Sequence, residues 1–92
     1  MDDAVRLNLL NEVAEKLGIE VRHENLQTED SPGMGGLCRI EGKYVLMIHS
    51  KATMKEKSQI MIEALRQFDL GSIYIKPAIR ELLDEPMDRH QN

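Results

Sequence analysis

Apolar positions recur along this chain at two spacings, and each spacing predicts a different element. Leu7, Leu10, Ala14 and Leu17 follow one another at steps of three, four and three residues, which on a helix makes one stripe that Val13 widens. The pattern predicts a helix over 3–17, with Asp2 and Asp3 at its positive end and Gly18 as a cap where positive φ is easy. From Ile19 to His23 apolar and polar residues alternate, as in a short strand.

Glu24 to Gly36 is a loop by composition, rich in Asn, Gln, Thr, Asp, Ser, Pro and Gly. Connections of this length in a compact domain are either functional or simply mobile, and the residues do not choose between the two. A hairpin follows, with strands at Leu37–Ile40 and Tyr44–His49. If Glu41-Gly42-Lys43 is all loop, Ile40 pairs with Tyr44 and Cys38 with Leu46. That register puts Cys38, Ile40, Tyr44, Leu46 and Ile48 on one face, with Arg39 and Glu41 on the other. A two-residue turn at Gly42-Lys43 would instead set Cys38 and Ile40 beside Val45 and Met47. The first register separates the faces better and is the one expected.

Thr53-Met54-Lys55-Glu56 has the form of a capping box. The helix it starts carries Met54, Met61, Ala64, Leu65 and Phe68 on one face, with Ile60 beside them, and is expected to run to about Leu70 with Gly71 as its cap. Ile73-Tyr74-Ile75 reads as a brief extended piece. Pro77 suits the first turn of a short last helix that uses Ile79, Leu82 and Leu83 and stops before Pro86. Taken together, residues 1–86 form one α+β domain: an N-terminal helix, a small antiparallel sheet with a β-hairpin, a central amphipathic helix and a short C-terminal helix. Residues 87–92 form a polar C-terminal tail.

Size and composition bound the rest. A chain of 92 residues fits one domain that buries roughly 64% of its unfolded surface, enough for a core without staples. Tyr44, Phe68 and Tyr74 are the only aromatic residues, so Leu, Ile, Val and Met must fill that core. The acidic start Met1-Asp2-Asp3 is not followed by a signal-peptide core, and no apolar run has the length of a membrane span. Cys38 is the single cysteine, which rules out an intrachain disulfide and suits a reducing compartment. These features predict a cytoplasmic protein that does not bind membranes. A net charge of −4 also argues against general nucleic-acid binding.

Cys38, His49 and His23 are the candidate metal ligands. A structural zinc site takes four ligands, usually in tight pairs, and here no Cys-x-x-Cys appears. In the expected register Cys38 and His49 point to opposite faces, so Cys38 reads as a buried structural thiol and no metal site is assigned. Ser31-Pro32-Gly33-Met34-Gly35-Gly36 has the glycines of a phosphate cradle but leads into a strand and lacks the lysine, which leaves close backbone approach as its use. From Arg39 to Lys57 there are five basic residues (Arg39, Lys43, Lys51, Lys55, Lys57) and two acidic ones (Glu41, Glu56), net +3. With only Tyr44 to stack on a base, that segment reads as a solvated face. Met54 and Met61 read as gap-fillers in the core, with an adaptable binding surface as the alternative. No catalytic signature is present, no catalytic residue is assigned and no cofactor is called for. Glu63 is the one carboxylate within Ile60–Leu65, and Arg66 is placed to pair with it.

The Gly-rich approach, the hairpin ending in Val45-Leu46-Met47-Ile48-His49, the short polar link and the amphipathic helix resemble the core of the minimal zincin-type peptidases. These are small α+β zinc proteins, found among phage-encoded and stress-response proteases that cleave repressors. Their helix carries His-Glu-x-x-His, which supplies two zinc ligands and a general base. Laid on this sequence, over residues 36–68, the motif falls at Ile62-Glu63-Ala64-Leu65-Arg66, and only Glu63 matches. The resemblance implies a zincin-like shell without its metal. Catalysis would then be lost, since the base has no zinc-activated water to work on. The expected role is therefore non-catalytic, a regulatory or protein-interaction module with a protein partner or a homodimer. The alternative is a small metal-binding protein or metal-dependent hydrolase using Cys38, His49 or His23.

Overall fold

The structure, a computed structural model, describes residues 2–25 and 35–84. Its elements in chain order are α1 (Asp3–Lys16), β1 (Glu20–Glu24), β2 (Gly35–Ile40), β3 (Lys43–His49), α2 (Met54–Leu65) and α3 (Pro77–Asp84). This is the α+β layout expected from the sequence. Both the polar tail and most of the loop, including Ser31 to Met34 of the glycine-rich run, lie outside the described residues.

The helix ends follow the local chemistry. Asp2 accepts the Val5 amide at 2.9 Å and caps α1. At the other end Gly18 takes φ 78°, its amide reaches Glu15 O at 3.0 Å, and the Ile19 amide reaches Ala14 O at 2.9 Å. These paired bonds form a Schellman motif, and they deliver buried Ile19 into the core. On α2 the capping box is complete, Thr53 Oγ1 accepting from the Glu56 amide at 3.1 Å and Glu56 Oε1 from the Thr53 amide at 2.9 Å. That helix stops at Leu65 rather than near Leu70. The chain tightens there into three-residue turns, Gln67 to Ala64 and Phe68 to Leu65. Gly71 then serves an Asp69 turn, its amide donating to Asp69 Oδ1 at 3.0 Å, instead of capping the helix.

The sheet has the order β1-β3-β2 and is mixed: β2 runs antiparallel to β3, and β1 runs parallel to it. An antiparallel sheet was expected. The central place falls to β3 because Tyr44 to Ile48 is apolar on both faces, whereas β1 reads Glu-Val-Arg-His-Glu and tolerates an edge. Nothing in the alternation of β1 specifies its direction.

The hairpin also differs from the expected register. Ile40 pairs with Lys43, Arg39 with Tyr44 and Cys38 with Val45, so the turn is the two residues Glu41-Gly42. Both have positive φ, 53° and 81°, as a type I′ turn requires. The twist of that turn matches the strands, and the match outweighs the cost of placing Glu41 in the left-handed region. Side chains therefore sort differently. Leu46 and Ile48 join the core cluster with their cross-strand neighbours Val21 and Leu37 packed against it. Cys38, Ile40, Lys43, Val45, Met47 and His49 take the opposite face.

α1 and α2 lie against the first face, and α3 packs on those two helices. Leu10, Val13 and Ala14 of α1, Met61, Ile62, Ala64 and Leu65 of α2, and Ile79 and Leu83 of α3 share one cluster with Leu46 and Ile48. Met54 is half exposed and adds nothing to this core, against expectation, while Ile62 and Ser58 are buried although the stripe did not include them. The inward arc of α2 is thus wider than its methionines and leucines indicate.

Candidate interaction surface

Cys38, His49 and His23 end up apart. Cys38 is exposed, not buried as expected, because the two-residue turn rotates it to the outer face. Its Sγ lies 3.5 Å from Val45 O. The same turn puts His49 on that outer face too, where opposite faces were expected. Its register position is four residues beyond Val45, so about 13 Å of strand separates it from Cys38. The Lys51 amide donates to His49 Nδ1 at 3.1 Å, which fixes the buried ring in the bend after β3. His23 pairs with Ile48 and so belongs to the inner face. Partial desolvation, and then the nearby Lys57 charge, hold its imidazole below the ordinary histidine range. Among the described residues no three His, Cys, Asp or Glu side chains gather as a metal would require.

The positions that the zincin motif would occupy are also on the page. Ile62 is 8% exposed and packs in the core. Arg66 turns to α3, where Nε donates to Leu83 O at 3.0 Å and Nη2 to Leu82 O at 3.0 Å. It therefore satisfies last-turn carbonyls that have no partner within the helix, and it does not pair with Glu63. Glu63 is exposed and accepts a bond from Gln59 Nε2 at 3.2 Å.

Cavities add little. The one between α1 and the Tyr74–Ile79 segment holds about 40 Å³, water-sized against the several hundred expected of a ligand site. A depression of about 400 Å³ beside β1 is bordered by Glu12, Glu15 and Glu20, with Ile19 and Val21 as its apolar part.

What stands out is the far side of the sheet. On that side Ile40 is 42% exposed, whereas Tyr44, 37% exposed, belongs to the face of Leu46 and Ile48. All of β2 except half-buried Leu37 is exposed. Towards β1 the outer face carries an ion chain: Arg22 Nε donates to Glu20 Oε2 at 2.7 Å, and Lys43 Nζ lies 3.9 Å from Glu20 Oε1. The Arg22 hydrogen bond is the main reason the Glu20 carboxyl sits below its ordinary range. Towards β2 that face has only Gly36, Cys38 and Ile40. Arg39, the one charged residue of β2, leans back over the neighbouring strand with its guanidinium 5.0 Å from the Tyr44 ring centre. Tyr44 in turn meets Phe68 edge-on at 5.0 Å. The basic segment thus has its aromatic ring engaged within the fold. Sequence reasoning missed this surface because it depends on the hairpin register, and the two positive φ values are its only local signal.

Comparison with family models, with curated proteins and with solved structures found no match to this chain. No helix among the described residues is long and apolar enough to cross a membrane.

Proposed function

We propose that this chain acts without catalysis, as a cytoplasmic module that works through contact with another protein, a second copy included. The observation that carries this reading is the use made of α2. In the layout of a minimal zincin-type core, positions 62 and 66 would hold the metal and position 63 would serve as base. Here Ile62 fills the core, Arg66 fastens α3, and the Glu63 carboxylate faces solvent. The chain keeps the shell of such a core with its ligand positions turned to structural use. Cys38, His49 and His23, the remaining donors, diverge over both faces of the sheet.

Untagged full-length protein equilibrated with zinc and then desalted tests the reading. Elemental analysis should find far less than one equivalent, and chelator should leave the melting temperature unchanged. One equivalent of zinc that disappears in Cys38→Ser or His49→Gln would overturn the proposal in favour of a metal-binding protein or metal-dependent hydrolase.

A further inference from the structure

The backbone of β2 has two sides. A two-residue hairpin closes on a hydrogen-bonded pair, here Ile40 and Lys43, and every second pair after it bonds in the same way. Ile40, Cys38 and Gly36 therefore spend their amides and carbonyls on β3. Those of Gly35, Leu37 and Arg39 point to the free edge, where no described strand receives them. Natural sheets defend such an edge with lysine, proline, a bulge or a covering element. Among the described residues none of these guards β2, and its one charge is drawn back over Tyr44, away from the edge.

From this we infer that the free edge of β2 pairs, antiparallel and about a two-fold axis at Leu37, with the same edge of a second copy. The inference rests on the contact reading above and names its partner. A two-fold interface must be complementary to itself. With the axis at Leu37, Leu37 faces its own symmetry mate and Gly35 faces Arg39, so no like charges are opposed. Gly36 faces Cys38, so small side chains meet on the outer face. Each outward amide and carbonyl of Gly35, Leu37 and Arg39 finds a partner, which gives six hydrogen bonds and a continuous six-stranded sheet. An axis at Cys38 would use only Leu37 and Arg39, for four bonds. An axis at Arg39 would oppose two guanidinium groups. The contact is one strand wide and belongs with the small, transient interfaces, so the dimer should form in the micromolar range or above.

Sedimentation equilibrium of the full chain, with chelator present throughout, tests the assembly, and the single cysteine tests its geometry. Apparent mass should rise with concentration towards twice that of the monomer. Arg39→Pro removes an outward amide at a place where an edge strand accepts proline, and it should hold the mass at the monomer value at every concentration. The two Cys38 Cα atoms should lie about 8 Å apart, from two residues of rise and one strand spacing, so nitroxides on them should show dipolar broadening that dilution with unlabelled protein removes. A monomer up to millimolar concentration would overturn the inference. So would a dimer that Arg39→Pro leaves intact, or a dimer without broadening. The broadening decides the matter even if the proline variant fails to fold. Zinc-dependent association that chelator abolishes would instead count against the contact reading itself, which separates the two failures.

Discussion

Gly35 and Gly36 are adjacent, both begin β2, and the structure assigns them opposite tolerances. A Cβ built on Gly35 would sit 2.2 Å from Met47 O and 3.0 Å from Ile48 Cα, both backbone atoms of the central strand. Normal contact needs roughly another ångström, and β3 cannot supply it while Leu46 and Ile48 are locked in the core. Gly35→Ala must then move the start of β2 outwards and give up pairing at that end. The loss is capped by what the strand end contributes, about 1–3 kcal/mol for one or two hydrogen bonds and their packing. A Cβ on Gly36 meets nothing within 4 Å. There alanine reduces the freedom of the unfolded chain and should change stability by no more than ~0.5 kcal/mol, in the favourable direction. Urea unfolding followed by far-UV circular dichroism separates the two. With a slope of ~1–1.5 kcal/mol per molar, a 2 kcal/mol loss lowers the midpoint by roughly 1.5 M. Equal midpoints for the two variants, or a larger loss for Gly36→Ala, would refute the close approach of β2 to β3.

Three further outcomes follow from single side chains. Thr53→Ala should cost about 1 kcal/mol in urea unfolding, and in a double-mutant cycle with Glu56→Ala the two losses should fall short of additive, because each residue completes the other's cap. The Ser58 hydroxyl is buried with no hydrogen-bond partner among the described residues, so Ser58→Ala should leave stability unchanged or raise it by up to ~1 kcal/mol; a loss beyond 1 kcal/mol would show a bond that the structure lacks. A lowered imidazole pKa means that the unfolded chain binds the proton more readily, so the stability tied to neutral His23 is complete above about 6.5 and drains away as pH falls below it. Because His23 is exposed the effect is small, and its signature is NMR: Lys57→Gln should move the His23 titration upwards, and an unchanged midpoint would remove Lys57 as a cause.

What the sequence reveals here is local, and what it hides is long-range. Asp2, Gly18, Thr53, Glu56 and Pro77 mark helix ends through bonds spanning a few residues, and those ends are where the pattern places them, give or take the early stop of α2. The hairpin is legible as a hairpin. Its register is not, because it depends on Glu41 accepting a backbone conformation that its residue type disfavours, and face separation alone points to the other pairing. One residue of slip then carries Cys38 from core to surface. The alternation of β1 carries no mark of its direction, which the structure shows to be parallel to β3. Ser58 and Ile62 broaden α2 because helices pack on it from more than one side, which a single stripe does not encode. Arg66 reads as the partner of Glu63 three residues back, yet it bonds to α3, 16 and 17 residues away.

That last contact explains why a metal site and this core compete for the same face. Positions 62 and 66 stand one turn apart on α2, so two ligands there need the face between them open to a cleft. In this chain α3 closes it. Ile79 and Leu83 are 1% and 5% exposed, and Arg66 locks the helix end above them through two carbonyls. A histidine at 66 would free those carbonyls, and a histidine at 62 would put a polar ring among Met61, Leu65 and the rest of the cluster. In a domain of 92 residues with one cysteine, Ile79 and Leu83 belong to the same apolar cluster as Leu46 and Ile48, and no disulfide within the chain can replace that packing. The sheet face that α1 and α2 cover, with α3 packed on those helices, is therefore committed to stability. Exposed residues of β2, Cys38 and Ile40 among them, lie on the other side.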